Sequence, residues 1–405
     1  MSEADLSPMK IAIVIESFDP HAGGLERSTA QIATELAERG HAVTLLAGRC
    51  KKPDCLPGVT ILAMARRKSS SALRLFLFSR WAAKQLQEGG YDTSLSMTTA
   101  VAARVIQPRG GTTKETLNRN IAMRPSPLTR IGKRIGVWLS PKHQLLLALE
   151  KRALNDPGLV KVAAVSRYVC DQVEKQYGLP AEKVELIPNA AVMPKVDDEQ
   201  RAEWRKRIRD SFKISDDTTV FLFAAINPRL KGFTPLMLAL AHLKERHVPA
   251  MVLLAGDFWH QHNREAEQRG VRDRVCFLRH TRQIEALYSA ADVTVQPTFY
   301  DPASKVVIES LMMGVSAIST AYNGASDLIS PADGPSRGRV IPDPADAVAL
   351  ADAMQALADP AERESCRAAC VGLESGLSMA GHVDLLKRLL WDSRGQIRPN
   401  PAPEV

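Results

Sequence analysis

Arg229 and Lys231 stand two residues apart in Asn227-Pro-Arg-Leu-Lys-Gly232, just ahead of a helical stretch. A guanidinium fork and a compact ammonium beside a helix N-terminus suit a diphosphate, although a solvated basic loop is the plainer reading. Asp301 and Glu309 enclose the start of another helix in the run Asp301-Pro-Ala-Ser-Lys-Val-Val-Ile-Glu309, which continues to Gly314. The N–H groups at Ser304, Lys305 and Val306 offer an anion site, and the carboxylates can accept hydrogen bonds from sugar or ribose hydroxyls. Asp301 also reads as a helix N-cap, with Pro302 following. Glu309 has a weaker plain alternative, because it sits among Val306, Val307, Ile308 and Leu311, where an unpaired charge is costly. Gly23-Gly24 opens a third helix and either brings backbone close to an anion or makes a tight turn. Gly256 and Arg279-His280-Thr281 lie on loops able to frame a base or phosphate, His280 reading more simply as an ordinary loop histidine.

These runs need strands to position them. Lys10–Ile15 is a short β-branched apolar run of the kind buried in parallel sheets. A helix from Gly23-Gly24 to Gly40 follows, then strands at Val43–Ala47 and Val59–Ala63, a helix over Leu73–Leu86 and a weak strand at Ser94–Met97. Val162–Val165, a helix at Arg167–Tyr177 and Val184–Ile187 close the first half. The second half repeats the alternation: strands at Val220–Ala225, Met251–Ala255, Val275–Leu278, Val293–Gln296 and Val315–Thr320, with helices at Phe233–Lys244, Gln261–Arg269, Ile284–Ala290 and Ser304–Met313. Strand–helix alternation in both halves implies an α/β protein of two doubly wound Rossmann-like domains. They are expected to face each other across a cleft, with ligand loops beyond the carboxyl ends of the strands.

The chain has 405 residues, more than one hydrophobic core usually serves. The expected division is a first Rossmann-like domain over 9–194, joined near Pro194–Glu199 to a second over 195–377. A helix over 378–391 would return to the first domain, and a proline-bearing tail over 392–405 would be disordered. Six cysteines scattered through the chain, with no second pair at zinc spacing, read as reduced thiols. The start lacks a basic segment followed by an apolar run, and no stretch has the apolar length of a membrane span. A cytoplasmic protein with peripheral contact at the inner membrane face is expected.

The net charge of +8 is concentrated. Arg104–Arg152 holds eleven basic residues against Glu115 and Glu150, a local +9, leaving the rest of the chain at −1. The segment interleaves cations, Arg130, Lys133 and Arg134 among them, with Ile121, Met123, Leu128, Ile131, Ile135, Val137, Trp138 and Leu139. This composition suits an anionic membrane surface. Trp138 is its one aromatic, which argues against nucleic acid, where stacking wants more. Pro125, Pro127 and Pro141 are expected to break it into one or two brief helices.

The order of motifs from Lys10 to about Trp391 resembles the family 4 retaining glycosyltransferases of the GT-B fold. The resemblance rests on Gly23-Gly24-Leu-Glu, Ser166, Ile187-Pro-Asn189-Ala, Arg229-x-Lys231-Gly232, Leu254-Ala-Gly256, Ala291-Asp292-Val-Thr-Val-Gln-Pro297, the acid-x7-Glu segment and Gly314. Within that family it looks closest to the lipopolysaccharide-core glucosyltransferases, whose basic segment resembles Arg104–Arg152. By resemblance, Arg229 and Lys231 neutralise a donor diphosphate, Glu309 holds the ribose, Asp301 contacts the transferred sugar and Gly24 lines the phosphates. The chain departs from the family pattern twice: Asp301 stands where glutamate is usual, and Arg109 stands nearest to a frequent N-domain histidine.

The implied activity is hexose transfer with retention, from a nucleotide-diphosphate sugar to a lipid-linked or polysaccharide acceptor. The nucleotide sugar is a co-substrate rather than a cofactor, and side-chain cations replace a metal. A nucleotide-sugar epimerase or phosphorylase on the same fold remains open, as does a binding module without turnover. A dinucleotide-dependent dehydrogenase is excluded, because Gly-Gly here is not G-x-G-x-x-G and Glu38 lies on a helix rather than at a strand end.

Overall fold

The computed structural model describes residues 7–20, 23–50, 52, 55–65, 69–278 and 283–395. The chain forms two compact units. One runs to Asn189 and resumes at Met379; the other is Ala190–Ser378.

The first unit comprises β1 (Lys10–Ile15), α1 (Gly24–Glu38), β2 (Ala42–Ala47), β3 (Val59–Ala63), α2 (Ser71–Glu88), β4 (Thr93–Ser96) and β5 (Val105–Ile106). Three consecutive helices follow, α3 (Thr113–Ala122), α4 (Pro127–Trp138) and α5 (Pro141–Leu154), then β6 (Lys161–Ala164), α6 (Arg167–Tyr177) and β7 (Val184–Leu186). The seven strands are parallel in the order β3-β2-β1-β4-β5-β6-β7. Ile11 to Ile15 are buried, as a parallel strand covered on both faces requires.

The second unit comprises α7 (Asp198–Ser211), β8 (Thr219–Ala225), α8 (Phe233–Glu245), β9 (Ala250–Gly256), α9 (His260–Gln268), β10 (Val275–Leu278), α10 (Ile284–Ala290) and β11 (Val293–Gln296). It continues with α11 (Lys305–Met312), β12 (Ser316–Thr320), α12 (Ser326–Ile329), β13 (Gly338–Ile341), α13 (Ala347–Ala356), α14 (Pro360–Ala368) and α15 (Leu373–Gly376). Its six parallel strands run β10-β9-β8-β11-β12-β13. A core of Phe221, Phe223, Phe233, Leu240 and Met354 lies on one face of this sheet, and a core around Tyr288, Val220 and Leu222 on the other. The last helix, α16 (Met379–Asp392), returns to the first unit, where it packs on α1 and β4.

Several expectations need correction. Arg104–Arg152 contains three helices rather than one or two, because Pro127 and Pro141 each occupy a first helical turn instead of breaking a helix. The units meet at Asn189/Ala190, before the expected join, because the Ala191 N–H bonds the Leu377 carbonyl (3.1 Å) and ties the 190s into the second unit. Helix α7 begins within the stretch expected as a linker. Ser393, assigned by sequence to the tail, is buried and its hydroxyl lies 2.7 Å from that of Thr93; the tail from residue 396 onward lies outside the described residues.

Candidate active site

In the second sheet the strand order reverses between β8 and β11, so the loops leaving their carboxyl ends diverge and open a crevice there. Lys231 comes from the loop after β8, and Asp301 from the loop after β11. Their side chains form an ion pair through Nζ and Oδ2. The loops are stitched at this point: the Leu230 carbonyl accepts from the Phe299 N–H (2.9 Å) and the Thr298 hydroxyl (3.1 Å). Gly232 follows with φ +87°, and a Cβ there would lie 2.0 Å from the Pro297 carbonyl oxygen. Only glycine permits both the turn and the approach. Arg229 is exposed on the same loop and forms no ion pair with a described residue.

Asp301 is not the cap of α11, whose N-cap is Ser304. Its backbone pairs with the segment around Asn323, its N–H bonding the Tyr322 carbonyl (2.9 Å) and its carbonyl accepting from Gly324 (2.9 Å). Asp301 Oδ1 accepts from the Ala303 N–H at 3.2 Å. Buried Asn323 steers the approach to α11: its Oδ1 accepts from the N–H groups of Ser304 (3.2 Å) and Ala325 (3.0 Å), and its Nδ2 donates to Ser319 (2.8 Å). The Ser304 N–H, expected to be offered to an anion, is thus already engaged, whereas the first turn of α11 carries no side-chain cap. Along the same helix, Glu309 Oε2 accepts from the hydroxyl of fully buried Tyr288 at 2.9 Å. Burial first, and the Glu309 charge second, raise the Tyr288 pKa well above the ordinary tyrosine range, so the hydroxyl is held as a donor.

Other expected positions have different settings. Gly256 has φ +123°, and a Cβ would meet the Ala225 carbonyl oxygen at 2.1 Å, so the sheet itself requires glycine there. Arg279, His280 and Thr281 lie outside the described residues. Gly23 and Gly24 belong to the first unit, where Gly23 caps α1 with extended backbone (φ −83°) and no side-chain bond. A Cβ on Gly24 would meet nothing within 4 Å, so neither its surroundings nor a left-handed backbone demands glycine at that position.

Arg109, grouped by sequence with the membrane-facing cations, is instead drawn inward after β5. It donates to Gln107 Oε1 (2.9 Å) and Asn189 Oδ1, and lies 3.4 Å from His382 Nε2. His382 comes from α16, and its Nδ1 is 2.7 Å from the Pro188 carbonyl, so Nδ1 carries the proton and Nε2 accepts. No carboxylate among the described residues bonds Arg109, and burial lowers its pKa to about 10. A cation desolvated without a carboxylate partner depends on its neutral hydrogen-bond acceptors to offset the cost.

Lys133 is half-buried and Arg130 and Arg134 are exposed on α4, as is Trp138. Leu128, Ile131, Ile135 and Trp138, spaced along one helical face, are exposed together with Leu139. Ile121 and Val137 are buried and Met123 is half-buried, so the first two are not available to an outer surface as their composition suggested. No described helix is long and apolar enough to cross a membrane, and no group of three or more described His, Cys, Asp or Glu residues is placed to hold a metal ion.

Sequence reasoning missed Tyr288, Asn323, Gln107 and His382, and it singled out Asn189 without its bond to Arg109. Tyr288 reads as an ordinary core position of a helix. Asn323-Gly324 follows strand β12, and that placement is the signal that could have drawn notice.

Two doubly wound domains of parallel strands, the second with a basic loop and an acid converging at its switch point, have the construction of the GT-B fold. Residues 22–191 match the model described as Glycosyltransferase Family 4, and residues 205–369 the model described as Glycosyl transferases group 1. Between them these take in most of the chain, which belongs to the family 4 glycosyltransferases. The lipopolysaccharide glucosyltransferase WaaG of Escherichia coli K12 is 21% identical over 350 residues, covering 83% of this chain and 86% of that protein. An uncharacterized glycosyltransferase of Methanocaldococcus jannaschii is 27% identical over 204 residues, 50% of this chain and about half (52%) of that protein's length. Among solved structures, WaaG superposes with a TM-score of 0.75 at 21% identity, covering 94% of this chain and 99% of its own. Anabaena HepE in complex with UDP-glucose gives 0.64 at 17% identity, covering 95% and 100%.

Proposed function

We propose that the protein transfers a hexose, with retention and without a metal, from a nucleotide-diphosphate sugar to a lipid-linked or lipopolysaccharide-type acceptor at the cytoplasmic membrane face. The observation that carries this reading is the meeting of Lys231 and Asp301 at the switch point of the second sheet, beside the uncapped start of α11. Lys231 and exposed Arg229 supply cations for charge that grows on the departing diphosphate, each such donor contributing about 3 kcal/mol by analogy with oxyanion donors. Asp301 contacts the sugar, and its present pairing with Lys231 keeps both charges compensated until a ligand arrives. Glu309, aimed by Tyr288, accepts from the ribose hydroxyls. With the donor phosphate steering the acceptor hydroxyl to the face it leaves, no protein nucleophile is needed for retention. Gly24 leaves space for a phosphate, and Arg109 supplies positive charge on the acceptor's side. A protein of the same fold is solved with UDP-glucose, which favours a nucleotide sugar as donor. The relation to WaaG and the apolar outer face of α4 favour an acceptor at a membrane.

The test is incubation with a panel of radiolabelled nucleotide sugars and a lipid-linked or lipopolysaccharide-core acceptor. A new glycoside with the donor's anomeric configuration is expected. An isomerised or phosphorolysed donor would replace this reading with the epimerase or phosphorylase, and donor binding without turnover would leave a binding module.

A further inference from the structure

On the side of the second sheet opposite the Lys231–Asp301 loops lies a cavity of about 540 Å³, lined by residues of α7 and α14, by Tyr288 and Ser289 of α10, and by the segments that lead into β11 and β12. It lies at the amino ends of those strands, whereas Lys231 and Asp301 follow the carboxyl ends of theirs. The lining is rich in arginine: Arg201 and Arg205 from α7, Arg363 and Arg367 from α14. Arg205 is neutralised by Asp292 (2.7 Å). The other three form no ion pair among the described residues. Arg201 Nη1 reaches only the Met313 carbonyl (2.5 Å), and its Nε is buried with no hydrogen-bond partner. Arg363 donates to the carbonyls of Leu357 and Ala358 (2.9 and 2.7 Å), and the exposed Arg367 side chain makes no hydrogen bond among the described residues. Two acids, Asp198 and Glu364, line the cavity, and both are exposed.

Holding like charges together costs free energy unless something lies between them. Arg201 registers that cost: burial first and the Arg367 charge second lower its pKa, outweighing the opposing pull of Asp198. A position that needed only packing would do better with an apolar side chain than with the half-buried Arg201, whose unpartnered Nε is costly. An oxyanion with several acceptor oxygens would satisfy Arg201 and Arg367 at once, and guanidinium forks match phosphate geometry. The concave shape suits a small soluble molecule rather than a flat bilayer, and its volume admits a sugar phosphate or nucleotide.

We propose that this cavity is a second anion site, taking the phosphate group of a small soluble metabolite between Arg201 and Arg367, separate from the donor site. Titration calorimetry with inorganic pyrophosphate tests it, in a Lys231→Ala background that weakens the donor loop. The Lys231→Ala protein is expected to retain one pyrophosphate site. Adding Arg201→Gln and Arg367→Gln should weaken that site at least tenfold, while the melting temperature reports that the fold is kept. Arg367→Gln alone, at an exposed position, should weaken it several-fold and guards against a folding defect in the double change. Loss of all pyrophosphate binding on Lys231→Ala, or binding indifferent to both arginines, would overturn the proposal. Displacement of pyrophosphate by phosphatidylglycerol vesicles would overturn it too, by making the ligand a lipid headgroup. Failure of the donor-site reading shows elsewhere, as unimpaired sugar transfer by Lys231→Ala.

Discussion

The hydroxyl of Tyr288 in α10 donates to Glu309 Oε2 in α11 at 2.9 Å and lies 3.2 Å from the Val306 carbonyl of the same helix. A side chain buried in one core cluster thereby fixes the carboxylate assigned to the ribose. A hydrogen bond to a charged group contributes about 1.5 kcal/mol, roughly tenfold in affinity. Tyr288→Phe should therefore weaken nucleoside-diphosphate binding about tenfold, measured by calorimetry. An unchanged Kd would reduce Tyr288 to core filling.

The same residue predicts a pH effect on stability. Its pKa is raised on folding, so the native state keeps the proton that an unfolded chain releases above about pH 10. The stabilisation is complete below that pH and is lost as pH climbs from there toward the folded pKa. Tyr177, pushed up first by burial and then by its bond to Glu150, acts in the same direction. Melting temperature should fall from about pH 10 upward, less steeply in Tyr288→Phe than in the parent. Parallel curves would show that Tyr288 does not contribute to the alkaline loss.

Lys231→Ala should cut transfer by a hundredfold or more, about 3 kcal/mol, with the fold intact. The residue is partly exposed, and breaking its pair with Asp301 costs little stability once solvent screening is counted. Near-normal turnover at saturating donor would remove Lys231 from the mechanism. Glu309→Gln should weaken the donor and the free nucleoside diphosphate alike, whereas Asp301→Asn should impair sugar selection and spare the free diphosphate. Equal losses for both ligands in both variants would contradict that division of labour.

Much of this was legible in the chain. Short β-branched runs flanked by glycine and helical periods located the strands on both sides of each switch point, and the position of Lys231 and Asp301 directly after strands followed. What escaped were contacts that depend on distant segments. Arg109 reads as one more cation in a basic stretch, and only the return of α16, which brings His382 to it, shows that it is drawn inward. Two-residue β5 is too short to show a period, and Asn323 gains its importance from Ser304, nineteen residues earlier.

Arg109→Lys separates charge from geometry. Lysine keeps the cation but cannot fork to Gln107 and Asn189 together. If Arg109 serves the acceptor, its KM for acceptor should rise several-fold with donor affinity unchanged, and Arg109→Gln should raise it further. A loss of melting temperature with no change in either constant would make the residue a structural link between β5 and α16.

The final prediction concerns α4, whose surface is inverted relative to an ordinary amphipathic helix. Val137 faces inward, while Leu128 and Trp138, 81% and 71% exposed, lie with Ile131 and Ile135 on the opposite side. Water is a poor neighbour for that stripe, and burying each large side chain in an apolar phase contributes about 1.5–3 kcal/mol. Arg130, Lys133 and Arg134 flank it on the same helix, each adding about 1 kcal/mol near an anionic surface. Vesicle binding should accordingly rise with the anionic lipid fraction and fall with salt. Changing the three cations to serine should remove the salt dependence, whereas Ile131→Ser with Trp138→Ser should weaken binding at every salt concentration. If neither set of changes alters co-sedimentation, α4 does not face a membrane, and the sugar-transfer reading stands without it.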